Sequence, residues 1–132
     1  EVIEYGIHKQ IPILGVCRGM QVINNYFNGV ISKNKNLSHI KNHHDVNIIT
    51  KPFLSLFCKN SLNVNSFHNN LIYERDLGDD LNSFAISRRD NTIEGFIHKK
   101  LPILGVMWHP EREQNDYNIN ILKSLFEKKI FG

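Results

Sequence analysis

Disulfides can do little for this chain. Its 132 residues hold two cysteines, Cys17 and Cys58, too few for a covalent framework. The fold must therefore rest on a hydrophobic core, and free thiols fit a reducing, cytoplasmic setting. Long apolar runs are lacking too. No stretch approaches the roughly 20 residues that cross a bilayer, and Glu1-Val2-Ile3-Glu4-Tyr5 has no basic-then-apolar leader layout. Nor does one sign of charge prevail: 16 Lys and Arg stand against 13 Asp and Glu. The basic residues are scattered and not interleaved with aromatics, so neither a nucleic-acid partner nor a membrane partner is expected.

What the chain does have is an apolar share of 41%, enough for one core and a single domain over residues 1–132. Residues 2–9 read as the end of a helix, with Val2, Ile3 and Ile7 on one side, broken by Gln10-Ile11-Pro12. Ile13-Leu14-Gly15-Val16 is a short continuous apolar run, as in a strand buried on both faces. Met20, Ile23 and Phe27 at helical spacing predict a helix from Gly19 to about Phe27, ended by Asn28-Gly29. Residues 32–45 are polar and read as a surface loop. Strands are predicted at 46–49, from 63 into 68, and at 83–87, 92–97 and 103–107, with Arg88-Arg89-Asp90-Asn91 as a hairpin turn. A last helix is predicted over 118–129, with Ile119, Leu122 and Phe126 on one face. Cys58 ends an apolar run from Phe53, which predicts a buried, inert thiol.

One internal echo bears on chemistry. Ile11-Pro12-Ile13-Leu14-Gly15-Val16 recurs as Leu101-Pro102-Ile103-Leu104-Gly105-Val106. Each copy reads as a buried strand, and each leads to a reactive residue, Cys17 after the first and His109 shortly after the second. Ligand sites of open α/β sheets lie outside the carboxyl ends of strands. Two such strands side by side would bring Cys17 and His109 together.

Gly15-Val16-Cys17-Arg18-Gly19 has the layout of a nucleophile elbow with Cys in place of Ser. The turn is sharp, so small residues must flank it. A thiol at a helix start is expected to have a lowered pKa, and the Arg18 backbone N–H would point at the oxyanion. On its own the motif fits a structural Cys between two turn glycines equally well. His109-Pro110-Glu111 adds the rest. Proline makes the residue before it extended, so Glu111, two residues on, can reach one ring nitrogen of His109 and leave the other for the thiol. Trp108 is expected to pack.

These residues resemble the class I glutamine amidotransferase-like family, whose catalytic Cys, His and Glu match Cys17, His109 and Glu111. Within it the likeness is to the γ-glutamyl hydrolase branch, peptidase family C26. Arg18 after the nucleophile, Gln21 four positions on, and Asn65-Ser66-Phe67-His68 carry that narrower likeness. The resemblance implies a three-layer α/β sandwich with a flavodoxin-like, mostly parallel sheet and an antiparallel extension. It implies hydrolysis of a γ-glutamyl amide through a cysteinyl thioester, with a small-molecule γ-glutamyl substrate held by Arg18, Gly19, Gln21, Asn65, Ser66, Phe67 and His68. Domains of the family begin with strands and a glycine-rich loop, which this sequence lacks, so an N-terminally incomplete domain is expected.

Other residues are weighed against this. His39, His43, His44 and Asp45 have no helix to align them and no Cys to join them, so they read as polar loop, and neither a metal nor an organic cofactor is expected. His68 is either a structural histidine at a strand end or a substrate contact. Arg18 is either a solvated helix-start residue or the partner of an anionic leaving group such as a nucleotide phosphoramidate. Two rival functions share the residues: a glutaminase subunit feeding ammonia to a synthetase partner, and an inactive remnant acting as a binding module.

Overall fold

The computed structural model describes residues 2–33, 42–66 and 70–127. Helix α1 (Val2–Lys9) leads into strand β1 (Ile13–Val16), and helix α2 (Arg18–Tyr26) follows after a single residue. A short ribbon pairs β2 (Ser32–Lys33) with β5 (Asn70–Leu71). Next come β3 (Asn42–Ile48), helix α3 (Lys51–Phe57) and β4 (Ser61–Ser66). Strands β6 (Leu81–Ser87), β7 (Ile93–His98) and β8 (Ile103–Val106) precede helix α4 (Asp116–Phe126), with 3₁₀ turns at Glu74–Asp76 and Pro110–Arg112.

The main sheet has six strands in the order β1-β8-β7-β6-β3-β4. Its parallel part is narrower than the mostly parallel sheet expected. Only β1 and β8 run parallel among the described strands, and β8–β7, β7–β6, β6–β3 and β3–β4 are antiparallel. The reason is connection length. Parallel neighbours need a crossover of a dozen or more residues, whereas the links from β6 to β7 and from β7 to β8 are tight turns. The two echoing segments pair with each other in register, Ile13 with Ile103 through Val16 with Val106.

Two apolar clusters cover the sheet's faces and make the three layers. Met20 and Ile23 of α2 and Ile3 of α1 pack with Phe96, Ile103 and Met107. Phe53 and Phe57 of α3 and Ile121 and Leu125 of α4 pack with Val46, Phe84, Leu104 and Trp108. Phe53 and Phe84 stack with centroids 3.8 Å apart. Each such fully buried side chain contributes about 1.5–3 kcal/mol.

Three expectations are corrected. The polar stretch through residue 45 is not all loop, because β3 starts at Asn42. Its period-two pattern hides in polar types: His44, Val46 and Ile48 are buried, while His43, Asp45 and Asn47 are exposed. Cys58 is exposed, not buried; it ends α3 in the left-handed conformation with φ 55°. Of Ile119, Leu122 and Phe126, the inner face expected of α4, Leu122 alone packs partly against the core. Ile119 and Phe126 are 43% and 68% exposed, and Asn118, Ile121 and Leu125 face inward. Asn118 rolls the helix, since its amide accepts from Trp108 Nε1 and donates to the Glu113 carbonyl, both at 3.0 Å.

Strand directions gather the polar chemistry at one end. β1, β8, β6 and β4 run one way and β7 and β3 the other. One edge therefore holds the carboxyl ends of the first four, with Cys17, His109 and Asn65, and the amino ends of the last two, with Glu94 and His44.

Candidate active site

Cys17 sits between β1 and α2 with φ 53° and ψ −103°, a left-handed backbone that a non-glycine residue adopts at a cost of about 1–3 kcal/mol. Its N–H donates to the Val106 carbonyl at 2.8 Å and its carbonyl accepts from Gln21 N–H at 3.2 Å. The turn closes so tightly that a Cβ on Gly15 would come within 2.5 Å of Ile23 Cδ1 and 2.8 Å of the Gly19 main chain. A Cβ on Gly19 would meet nothing within 4 Å. Gly15 is thus glycine for packing, and Gly19 faces room that a substrate could use.

The thiol departs from expectation. Burial pushes the Cys17 pKa up, and this outweighs the lowering by the Arg18 backbone N–H bonded to it. Smaller Coulomb effects follow from Glu94 and Glu111, which raise it, and Arg112, which lowers it. One N–H at a helix start does not offset lost solvation, so the environment favours the thiol over the thiolate. The Arg18 side chain is exposed.

His109, the base expected from the sequence, follows the neighbouring strand β8. His109 is extended, with φ −106°, as Pro110 dictates, and its side chain is 15% exposed. Glu111 does not reach it along an extended chain, however. Pro110–Arg112 form a 3₁₀ turn, which the fixed φ of proline favours at its first position, and Arg112 N–H bonds the His109 carbonyl at 3.1 Å. The contact forms all the same: His109 Nδ1 lies 2.8 Å from Glu111 Oε2. Burial works to raise the Glu111 carboxyl, but its bond to His109, its own backbone N–H and the charges of His109 and Arg112 prevail and hold it below the ordinary value. An ionised carboxylate only accepts, so Nδ1 carries the proton and Nε2 is the basic nitrogen.

Asn65 has a more definite task than the substrate contact expected of it. Its Oδ1 accepts from His109 N–H at 2.8 Å and its Nδ2 donates to the His109 carbonyl at 3.0 Å. The buried amide thus grips the backbone of the base from both sides. Gln21 is also buried; its Nε2 lies 3.7 Å from Met107 Sδ and its Oε1 accepts from Asn70 at 3.3 Å. Ser66 ends β4, while Phe67 and His68 lie outside the described residues, as does His39. His43 and His44 do not share a ligand set, for they leave opposite faces of β3. Exposed His43 meets Glu113 Oε1 at 2.6 Å, and buried His44 meets Glu94. Trp108 is fully buried packing, as expected.

Sequence reasoning missed Glu94, His44 and Arg112 as neighbours of the site. One signal was legible: Glu94 is the only charged residue inside the apolar strand Ile93–His98.

A model of the peptidase C26 family matches residues 1–111. The γ-glutamyl-CDP-amidate hydrolase of Campylobacter jejuni is 44% identical over 126 residues, covering 96% of this chain and 56% of that protein. Anthranilate synthase component 2 of Thermococcus kodakarensis is 31% identical over 137 residues, covering 98% of this chain and 67% of that one. A solved glutamine amidotransferase of Thermotoga maritima shares the fold, with a TM-score of 0.70 and 23% identity across 99% of this chain and 55% of its own. The chain spans about half the length of the first curated relatives it matches. Among the described residues no helix is long and apolar enough to cross a membrane. Since the family match runs from the first helix through Glu111 and takes in all three residues of the cluster, the chain belongs to the peptidase C26 family.

Proposed function

We propose that the protein containing this chain hydrolyses a γ-glutamyl amide, with Cys17 as nucleophile, His109 as acid and base, and Glu111 as the group that orients His109. One observation carries this reading: a strained cysteine turn at the end of β1, beside a His–Glu pair that follows the adjacent parallel strand β8. His109 Nε2 takes the thiol proton as sulfur attacks the γ-carbonyl. The Arg18 N–H steadies the oxyanion. The imidazolium returns its proton to the departing nitrogen, leaving a glutamyl thioester. Water, deprotonated by His109, then releases glutamate and restores the thiol. The residues supply nucleophile, acid and base themselves, so no step calls for a metal or organic cofactor.

The Campylobacter relative suggests γ-glutamyl-CDP-amidate as substrate, hence an anionic leaving group, in capsule polysaccharide modification. Arg18 is exposed beside the nucleophile and suits that charge. The anthranilate synthase relative favours a second reading, in which the same thioester chemistry on glutamine feeds ammonia to a synthetase partner.

The test is to incubate the full-length protein with γ-glutamyl-CDP-amidate, a neutral γ-glutamyl amide and glutamine, and to measure glutamate and ammonia. Glutamate release that vanishes in Cys17→Ala, with a glutamyl adduct on the Cys17 peptide after acid quench, is expected. Activity surviving Cys17→Ala would refute the mechanism, and ammonia release dependent on a synthetase would select the second reading. Arg18→Leu should leave the neutral amide largely unaffected and slow the anionic substrate about ten- to a hundredfold, the range for one charged hydrogen bond.

A further inference from the structure

A His–Glu pair lies buried at the active-site end of the sheet, outside the triad. Glu94 is the second residue of β7 and His44 the third of β3. His44 Nε2 meets Glu94 Oε1, and both side chains are 1% exposed. No sheet ladder demands this pair, because β6 ends at Ser87 and so stops short of His44. Desolvating a carboxylate and an imidazole is costly, and the cost falls at one end of the sheet only.

Its link to the nucleophile runs through one peptide group. The Val106 carbonyl accepts from Cys17 N–H, and the N–H on the other side of the same peptide, Met107, donates to the Glu94 carbonyl, both at 2.8 Å. Cys17 and Glu94 therefore flank β8 at one level, two strand spacings or about 10 Å apart along the backbone. Gln21, one helical turn after Cys17, closes the gap above Met107.

We propose that Glu94, held by His44, is a positioning residue for amide hydrolysis: a buried carboxylate two strands from the nucleophile, whose charge makes Cys17 give its proton to His109 and not to solvent. The proposal rests on the reading of Cys17 and His109 as the hydrolytic pair. A negative charge disfavours a lone thiolate, yet hardly disfavours a thiolate beside an imidazolium, since that pair is neutral and the same carboxylate attracts the imidazolium. Among the described residues, the charged groups acting on Cys17 are Glu94 from β7 and Glu111 and Arg112 from the turn after β8, and of these Glu94 acts most. The group facing Glu94 from β3 is His44.

The experiment is the pH dependence of Cys17 alkylation by iodoacetamide in the full-length protein, followed by peptide mapping. Alkylation needs no substrate, so it decides this proposal even if no γ-glutamyl compound is hydrolysed. Glu94→Gln should shift the Cys17 profile to lower pH and speed alkylation at neutral pH about three- to tenfold. Circular dichroism should show the variant folded. An unchanged profile, or a shift to higher pH, would overturn the proposal. If Glu94→Gln does not fold, the double variant His44→Leu with Glu94→Met, which replaces the buried pair by apolar residues of similar volume, decides. Its Cys17 profile should likewise shift to lower pH, and an unchanged profile would overturn the proposal.

Discussion

At the scale of single residues, the site is held where the backbone is least comfortable. Cys17 occupies a positive-φ turn that glycine would adopt freely. On the function proposed above its side chain serves chemistry, and stability bears the strain. Cys17→Gly should therefore be more stable than Cys17→Ala by about 1 kcal/mol, with both inactive, as read by urea unfolding. Equal midpoints would show that the turn stores no strain in this chain. Asn65 illustrates the opposite arrangement. Its amide bonds both backbone groups of His109, so a residue far away in sequence fixes the base. The motif around Asn65 was legible as part of the site, but its partner was not, because a short polar segment does not reveal which backbone it will meet.

Among the elements, the turn between β7 and β8 matters most, since it aligns the strand that carries His109. His98 ends β7, and its Nδ1 accepts from the backbone N–H groups of Lys100 and Leu101, both at 3.0 Å. Only the neutral ring can accept there. Burial, first, and the charges of Lys100 and Lys99 lower its pKa below the ordinary value, against the pull of Asp80. The folded state then binds this proton less readily than the unfolded state. Stability from His98 is complete above the unfolded value near 6.5, and falls as pH drops from there through the lowered folded value. Thermal melts from pH 7.5 to 5 should show this loss, and His98→Asn should flatten it. An equal slope in both proteins would place the dependence elsewhere. Strands β1 and β8 were legible because their apolar runs are continuous. The start of β3 was not, because its inward residue is a histidine and its alternation cannot be seen without Glu94. The roll of α4 was hidden likewise, since Asn118 looks solvent-facing until Trp108 lies beside it.

Across the whole molecule, the fold does one thing with several strands: it brings reactive and supporting groups to a single edge. The echo of Ile-Leu-Gly-Val predicted two neighbouring strands, and the register confirms them residue for residue. The proportion of parallel pairing was not predictable from the same text, because β-propensity does not encode direction. Turn length does, and the short links around β7 were the clue. The proximity of His109 to Glu111 and the turn at Cys17 were legible for a different reason. Pro110 lies between the first two and glycines stand two residues either side of the third, and these residues constrain the chain locally whatever surrounds them.

The peptide between Val106 and Met107 has a consequence in the time domain. Its carbonyl protects the Cys17 amide and its amide is protected by Glu94, at the carboxyl end of β8 in a sheet whose two faces are covered by core clusters. Solvent can reach those hydrogens only when the strands themselves separate. In hydrogen–deuterium exchange, the amides of Cys17 and Met107 should be among the last to exchange, at rates that track denaturant as global unfolding does, although the thiol between them is open to reagents. Fast exchange at either position would reveal a local opening. Slow exchange at both would mean that the nucleophile persists exactly as long as the fold, with no partly open form for a protease or a misdirected acyl group to capture.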